Sequence, residues 1–322
     1  MQVLIVKTSS MGDVLHTLPA LTDAARPMPV IRFDWVVEEN FAQIPTWHPA
    51  VGRVIPVAIR RWRKNWFDTA VRQERCDFKR QLQCERYDAV IDAQGLMKIA
   101  ALVTRVAYGE KHGLDFKSAR EPCASWFYHR RHDVSKQQHA IERIRQLFAA
   151  SLGYPLPATS GDYAIADHFP PQPGDEAYLV FLYATTRPGK HWPEGHWRAL
   201  IQLAGDAGYH IKLPWGAEHD RLRAHRLADG FNVAEVLPRL TLAQVAAQLA
   251  GATAVVSVDT GLSHLAAALD RPNLTLYGPT DPGLIGGYGR HQQALRAGDG
   301  SMESLAAEYV WQTLQSMLPA LE

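Results

Sequence analysis

Ser257-Val258-Asp259-Thr260-Gly261-Leu262-Ser263-His264-Leu265 is the stretch on which the reading of this 322-residue chain turns. The residues before it, Ala254-Val255-Val256, are apolar and mostly β-branched, as in a strand buried on both faces. After it, Leu265-Ala266-Ala267-Ala268-Leu269 are good helix formers, closed by Asp270-Arg271-Pro272. Asn273 to Tyr277 reads as the next strand. Asp259-Thr260-Gly261 is therefore a strand-to-helix turn in which Gly261 permits close backbone approach, and the free N–H groups at the helix start suit an anion. Asp and Thr ahead of a helix are also common caps, so the turn alone leaves both readings open. A second turn, Tyr277-Gly278-Pro279-Thr280-Asp281-Pro282-Gly283, ends the following strand. Two polar, glycine-bearing turns at one edge of a parallel sheet make a ligand crevice.

The chain upstream repeats the pattern. Val3 to Val6 reads as a first strand, and Lys7-Thr8-Ser9-Ser10-Met11-Gly12-Asp13 as a polar loop. Val14, Leu15, Leu18 and Leu21 have the spacing of an apolar helix face. No G-x-G-x-x-G follows the first strand, which argues against a dinucleotide cofactor. Asp13 fits either a helix cap or a functional carboxylate. Further strands are expected at Arg32–Val37, Val54–Val57, Ala89–Ile91 and Tyr178–Leu182, alternating with helices as in open parallel sheets. Residues 154–175 carry five prolines and two glycines and read as an interdomain connection.

A hydrophobic content of 47% over this length allows a large core and favours two domains. Cys76, Cys84 and Cys123 form no C-x-x-C pair, which fits a reduced compartment. No apolar run approaches the ~18 residues of a membrane span. The N-terminal apolar run is too short for a signal peptide, so a cytoplasmic location is expected. Fourteen histidines occur without H-E-x-x-H spacing, and no D-x-D metal clamp appears. The net charge of +1 conceals an asymmetry: residues 1–150 hold 23 Lys and Arg against 16 Asp and Glu, and the remainder is net acidic. The first half is thus suited to an anionic partner. Arg60-Arg61-Trp62-Arg63-Lys64-Asn65-Trp66-Phe67 concentrates this charge among aromatics, as on a helical surface with buried aromatics or in a single-strand nucleic-acid binder. Lys98, Lys111, Lys117, Arg120, Arg130 and Arg131 continue the basic bias. In the second half, Thr185, Thr186, Arg187 and Lys190 follow the Tyr178–Leu182 strand and suit a phosphate.

Ser10-Met11-Gly12-Asp13, Lys190-His191-Trp192-Pro193, the Asp259-Thr260-Gly261-x-x-His264 element and Tyr277-Gly278-Pro279-Thr280 together resemble the ADP-heptose:lipopolysaccharide heptosyltransferases. Arg60 to Lys64 and Asp281 to Gly289 resemble the branch that adds the first heptose to the Kdo of Kdo2-lipid A. The branch acting on a heptosylated acceptor is the alternative, and a non-catalytic anion or nucleic-acid binder is the reading outside enzymes. The resemblance implies a GT-B fold of the α/β class: two Rossmann-like doubly wound domains facing across a cleft. It places an acceptor domain at 1–165, an ADP-sugar domain at 175–302 and a terminal helix at 303–322 that returns to the first domain. It implies an inverting transfer that needs no metal and no cofactor, with ADP-heptose, Kdo2-lipid A and the inner-leaflet surface of the inner membrane as partners and no nucleic acid. Asp13 would be the general base. Thr185, Thr186, Lys190, Asp220, Asp259, Thr260, Gly261 and His264 would bind the donor. Ser10, Gly12, Arg60, Arg61, Arg63, Lys64, Lys98 and Arg120 would bind the acceptor. Asp220 stands where the family often has a longer Glu for the ribose, and Tyr183 is bulky for a position beside the donor loop.

Overall fold

The computed structural model of the chain describes residues 1–170 and 177–318. It divides into two units, Met1–Ala164 and Ile165–Glu322.

The first unit holds β1 (Gln2–Val6), β2 (Arg32–Glu38), β3 (Val51–Val57), β4 (Arg86–Asp92), β5 (Tyr108–Leu114) and β6 (Arg130–His132). All pair in parallel, in the spatial order β3-β2-β1-β4-β5-β6. Val3 to Val6 are wholly buried, because helices cover both faces of a parallel sheet and leave its inner strands no polar side. The second unit repeats this order with β7 (Tyr178–Leu182), β8 (His210–Leu213), β9 (Ala234–Val236), β10 (Ala254–Val258), β11 (Asn273–Tyr277) and β12 (Gln292–Arg296), arranged β12-β11-β10-β7-β8-β9. In each unit the strand order reverses between the first and fourth strands, which is where doubly wound sheets bind ligands. These are the two Rossmann-like units that the GT-B resemblance implies.

Local details differ from these expectations or add to them. The helix expected after β1 is two helices, Met11–Leu15 and Leu18–Ala25. Pro19, at the start of the second, has no N–H to carry the first helix's ladder onward. Strands β5, β6, β9 and β12 carry too few apolar residues to announce themselves; Tyr108-Gly109-Glu110-Lys111-His112 is an example. Much of the expected connection is packed against the first unit: the Arg145 guanidinium donates to the Thr159 carbonyl at 2.8 Å, and Tyr154 is buried. Pro171, Pro173 and Gly174 lie outside the described residues. Finally, the helix Ala307–Gln315 belongs to the second unit, where Val310, Trp311 and Leu314 join its core. Trp192 Nε1 donates to the Leu305 carbonyl at 2.9 Å and anchors the approach to that helix.

Candidate functional site

In the first unit, the loops after β1 and β4 meet at the order reversal. Gln94 ties them together: its Oε1 accepts from the Thr8 N–H at 2.8 Å and the Ser9 N–H at 3.2 Å, and its Nε2 donates to the Ser9 carbonyl at 3.0 Å. Asp92, fully buried at the end of β4, accepts from the Gln94 and Gly95 N–H groups and from the Thr104 hydroxyl. Burial pushes the Asp92 carboxyl upward against these donors. Lys7, also buried, donates from Nζ to the Ala93 carbonyl at 2.9 Å.

Asp13 sits just beyond this tie. Its Oδ2 accepts from the Ser10 N–H at 2.9 Å and the Ser10 hydroxyl at 2.8 Å, forming a capping box at the start of Met11–Leu15. Its Oδ1 faces the Lys7 ammonium at 3.6 Å, an ion-pair distance too long for a hydrogen bond. The two readings of Asp13 thus divide between its oxygens: one caps the helix, and the side chain keeps 37% of its surface exposed. Burial raises its pKa, but Lys7, the two Ser10 donors and Arg120 outweigh that and hold the carboxyl below the usual Asp range. Asp13 is therefore an anion at neutral pH. Ser10 is exposed, Gly12 is buried, and Arg120 bears on Asp13 from the loop after β5, whereas Lys98 is exposed on the short helix after β4.

The basic run after β3 lies two strands from β1, and its residues do not act alike. Trp62 is core: it packs edge-on to Phe78 and donates from Nε1 to Glu74 at 2.7 Å. Arg61 is spanned by two carboxylates, Glu39 at 3.1 Å and Glu74 at 2.8 Å. Trp66 is half-buried with the Arg75 guanidinium 3.7 Å from its ring centre, while Phe67 is 96% exposed. Arg60 lies over the Phe41 ring, and Arg63 and Lys64 are exposed.

In the second unit, the loops after β7 and β10 meet at the corresponding reversal. Lys190, on the loop after β7, forms an ion pair with Asp259 at the end of β10, and the Thr185 hydroxyl donates to the Asp259 carbonyl at 3.2 Å. Thr260 and Gly261 begin the helix Gly261–Ala268, whose buried side carries Ser263 and His264. Thr186 is exposed on the same loop as Lys190. Beneath this surface lies a buried polar network that sequence reasoning missed. The Ser257 hydroxyl donates to Asn273 Oδ1 at 2.9 Å and its oxygen lies 2.9 Å from Ser263 Oγ; Thr275 Oγ1 lies 2.8 Å from Ser263 Oγ; and Asn273 Nδ2 donates to Gln292 Oε1 at 3.0 Å. The network locks the helix start to β10, β11 and β12. Ser257, Asn273 and Thr275 in otherwise apolar strands, with Ser263 on the helix between them, were the available signal.

Asp220 caps its own helix, Glu218–Ala228, by accepting from the Ala217 N–H at 3.1 Å. Tyr183 is not an obstruction: it is wholly buried and donates to the Asp220 carbonyl at 2.8 Å. Arg223 braces the Lys190 loop from below, donating to the Trp192 carbonyl at 2.7 Å and contacting His191 Nδ1. Burial, and then Arg223, hold His191 below its usual pKa. Tyr277 closes β11, with burial and then Asp259 pushing its hydroxyl up to about 12. Gly278 passes so close to the next segment that a Cβ there would lie 2.9 Å from Met302 Cγ.

Among the described residues, no group of three or more His, Cys, Asp or Glu side chains is placed to hold a metal ion, and no helix is long and apolar enough to cross a membrane. The first unit can thus take a proton at an ionised carboxylate. The second offers a lysine, hydroxyls and helix-end amides to a diphosphate.

The family model for glycosyltransferase family 9 (heptosyltransferase) matches residues 75–313. Lipopolysaccharide heptosyltransferase 1 of Escherichia coli K12 is 64% identical over 321 residues, covering 98% of this chain and 100% of the relative. The solved structure of the E. coli heptosyltransferase WaaC with ADP superposes with a TM-score of 0.97 at 64% identity, covering 98% of this chain and 100% of that one. The WaaC structure with ADP-2-deoxy-2-fluoro heptose superposes at 0.94 and 62% identity, covering 98% and 99%. The chain is a glycosyltransferase and belongs to family 9, the heptosyltransferases.

Proposed function

We propose that this chain transfers L-glycero-D-manno-heptose from ADP-heptose to the Kdo of Kdo2-lipid A, the first-heptose step of the lipopolysaccharide inner core, with inversion and without a metal. The observation that carries this reading is the meeting of Lys190 with Asp259, 69 residues apart, at the order reversal of the second sheet. A charged pair there has a use when a diphosphate arrives. Lys190 exchanges its carboxylate partner for the donor's phosphates, joined by Thr186 and the Thr260-Gly261-Leu262 amides. Asp259 is then released to orient heptose hydroxyls, with Thr185 and His264 beside it.

The first unit supplies the acceptor chemistry. Asp13 takes the proton from the Kdo hydroxyl as that oxygen attacks the anomeric carbon on the face opposite the departing ADP. General-base assistance of this kind contributes roughly 10²–10⁴-fold. Ser10, Gly12, Lys98 and Arg120 surround the acceptor, and Arg60, Arg63 and Lys64 meet its carboxylate and phosphate groups. The exposed Phe67 beside Arg63 and Lys64 suits peripheral contact with the anionic cytoplasmic face of the inner membrane. Asp220 caps its helix through Oδ2 alone, so its remaining acceptor sites are compatible with a ribose hydroxyl.

The test is turnover of ADP-heptose with Kdo2-lipid A and with its heptosylated product, each in excess EDTA. Transfer to Kdo2-lipid A that survives chelation supports the reading. Transfer only to the heptosylated acceptor moves the chain to the next step. Activity lost with chelation and restored by Mg²⁺ or Mn²⁺ overturns the charge assignment to Lys190 and the helix end.

A further inference from the structure

Lys7 has no place in the mechanism above, yet its position is unusual for a lysine. It follows the wholly buried Val6, and its side chain is only 7% exposed. Ammonium groups are rarely buried without partners, because removal from water is costly. Its described partners are the Ala93 carbonyl at 2.9 Å and Asp13 Oδ1 at 3.6 Å. The Ala93 bond fixes Nζ to the loop after β4, so the cation cannot swing away from the carboxylate. The main chain of Lys7 is fixed as well: its carbonyl accepts from Trp35 Nε1 at 3.0 Å and its N–H donates to Val36. The side chain is thus a rigid post between two strand-end loops. At 3.6 Å it attracts the charge of Asp13 without filling an Oδ1 lone pair, while Oδ2 is held by Ser10.

We propose that Lys7 is a positioning residue for Asp13, its tethered ammonium fixing both the ionisation and the direction of the carboxylate that receives the acceptor proton. This rests on the reading of Asp13 as general base. The charged groups bearing on Asp13 are Lys7 from the end of β1 and Arg120 from the loop after β5; Ser10 adds neutral donors and Gln94 adds none of its own charge. Burial alone would raise the Asp13 pKa, and Lys7 is foremost among the groups that reverse that effect. Without Lys7, burial is opposed only by Ser10 and by an exposed arginine. The proton is then held more tightly at acid pH and the base is lost earlier.

Three variants separate the possibilities: Asp13→Ala, Lys7→Met and Lys7→Arg, each assayed for kcat and kcat/KM across the acid range, with donor KM alongside. In Lys7→Met the acidic limb should move to higher pH, with donor KM changed by less than about threefold, because the donor groups lie in the other unit. In Lys7→Arg, which keeps the charge, the limb should stay at the wild-type position even if kcat falls through altered geometry. An unmoved limb in Lys7→Met, whatever happens to kcat, makes Lys7 a structural tie and overturns the proposal. If Lys7→Met fails to fold, a limb displaced in Lys7→Arg overturns it instead. Near-normal turnover in Asp13→Ala would sink the general-base reading itself, a separate outcome from failure of the Lys7 inference.

Discussion

Replacing Gln94 with Leu tests whether the tie between the two strand-end loops shapes catalysis as well as stability. The amide makes its contacts with residues 85 and 86 positions away, so no local turn replaces it. Oε1 receives the Thr8 N–H, the Thr8 hydroxyl and the Ser9 N–H at 2.8, 3.2 and 3.2 Å, but it has two lone pairs, so these count as about two full bonds. With the Nε2 bond to Ser9, about three bonds are lost, at about 1 kcal/mol each, or about 3 kcal/mol in all. For a unit of this size that corresponds to a fall of roughly 6–12 °C in the first unfolding transition. The same substitution frees the backbone of Thr8 and Ser9, which leads directly into Ser10 and Asp13. Displacement of a reacting group by about 1 Å costs on the order of 10²-fold, so kcat should fall between about tenfold and a hundredfold with donor KM nearly constant. Calorimetry that resolves the two units, together with initial rates of ADP release below the lowered transition, reads both effects. A Gln94→Leu protein with unchanged kcat and an unshifted first transition would refute the tie's role in holding Asp13.

Other outcomes follow from the same geometry. Asp13→Ala should lower kcat by roughly 10²-fold or more while ADP affinity, measured by calorimetric titration, stays within about twofold. Lys190→Ala should weaken ADP binding as well as kcat, since the diphosphate is charged before and after transfer; an unchanged donor response in both measurements removes the contact. Arg63→Ala and Lys64→Ala should raise the acceptor KM with stability intact, whereas Arg61→Ala should show up first in denaturant unfolding, because its guanidinium already serves Glu39 and Glu74. His48 is buried and neutral, accepting from the Ala50 N–H at Nδ1 and meeting the Thr22 hydroxyl at Nε2; burial holds its pKa at about 4, with Asp162 partly opposing. Because this folded value lies below the unfolded one, the unfolded chain takes up the proton first as pH falls, so the stability His48 contributes is full above pH 6.5 and is lost between there and about 4. His48→Gln should flatten that part of the stability–pH curve, and a curve of unaltered slope counts against the assignment.

The features legible in the sequence were those in which one short segment carries the whole signal. Ala254–Val258, the Asp259-Thr260-Gly261 turn and the strand after it lie within about two dozen residues, and hydrophobic period plus turn chemistry place them. Lys190 and Asp259 could be named separately because each follows an apolar strand. Their pairing depends on β7 and β10 being neighbours, which is a property of the sheet order. What escaped notice is long-range. Glu39 and Glu74 reach Arg61 from 22 and 13 residues away, and nothing within Arg60–Lys64 says that its second arginine is occupied or that its tryptophan is core. Gln94 looks like any polar loop residue until β1 and β4 are placed side by side. The helix Ala307–Gln315 showed its apolar face clearly, but periodicity identifies a face and not the surface that covers it.

The occupied state of Arg61 reaches beyond that residue. Read along the chain, Arg60 to Lys64 is a dense block of positive charge. In the folded unit, Glu38 accepts from the Arg60 N–H at 2.8 Å while Glu39 and Glu74 enclose Arg61, so much of the block's positive charge is offset before an anionic surface is met. Burial raises the Glu38 carboxyl above its usual range, with the Arg60 N–H among the groups opposing. Encounter with an anionic surface should therefore respond only weakly to ionic strength. Discrimination falls to Arg63 and Lys64 acting at contact range, where shape and hydrogen-bond geometry matter more than attraction at a distance.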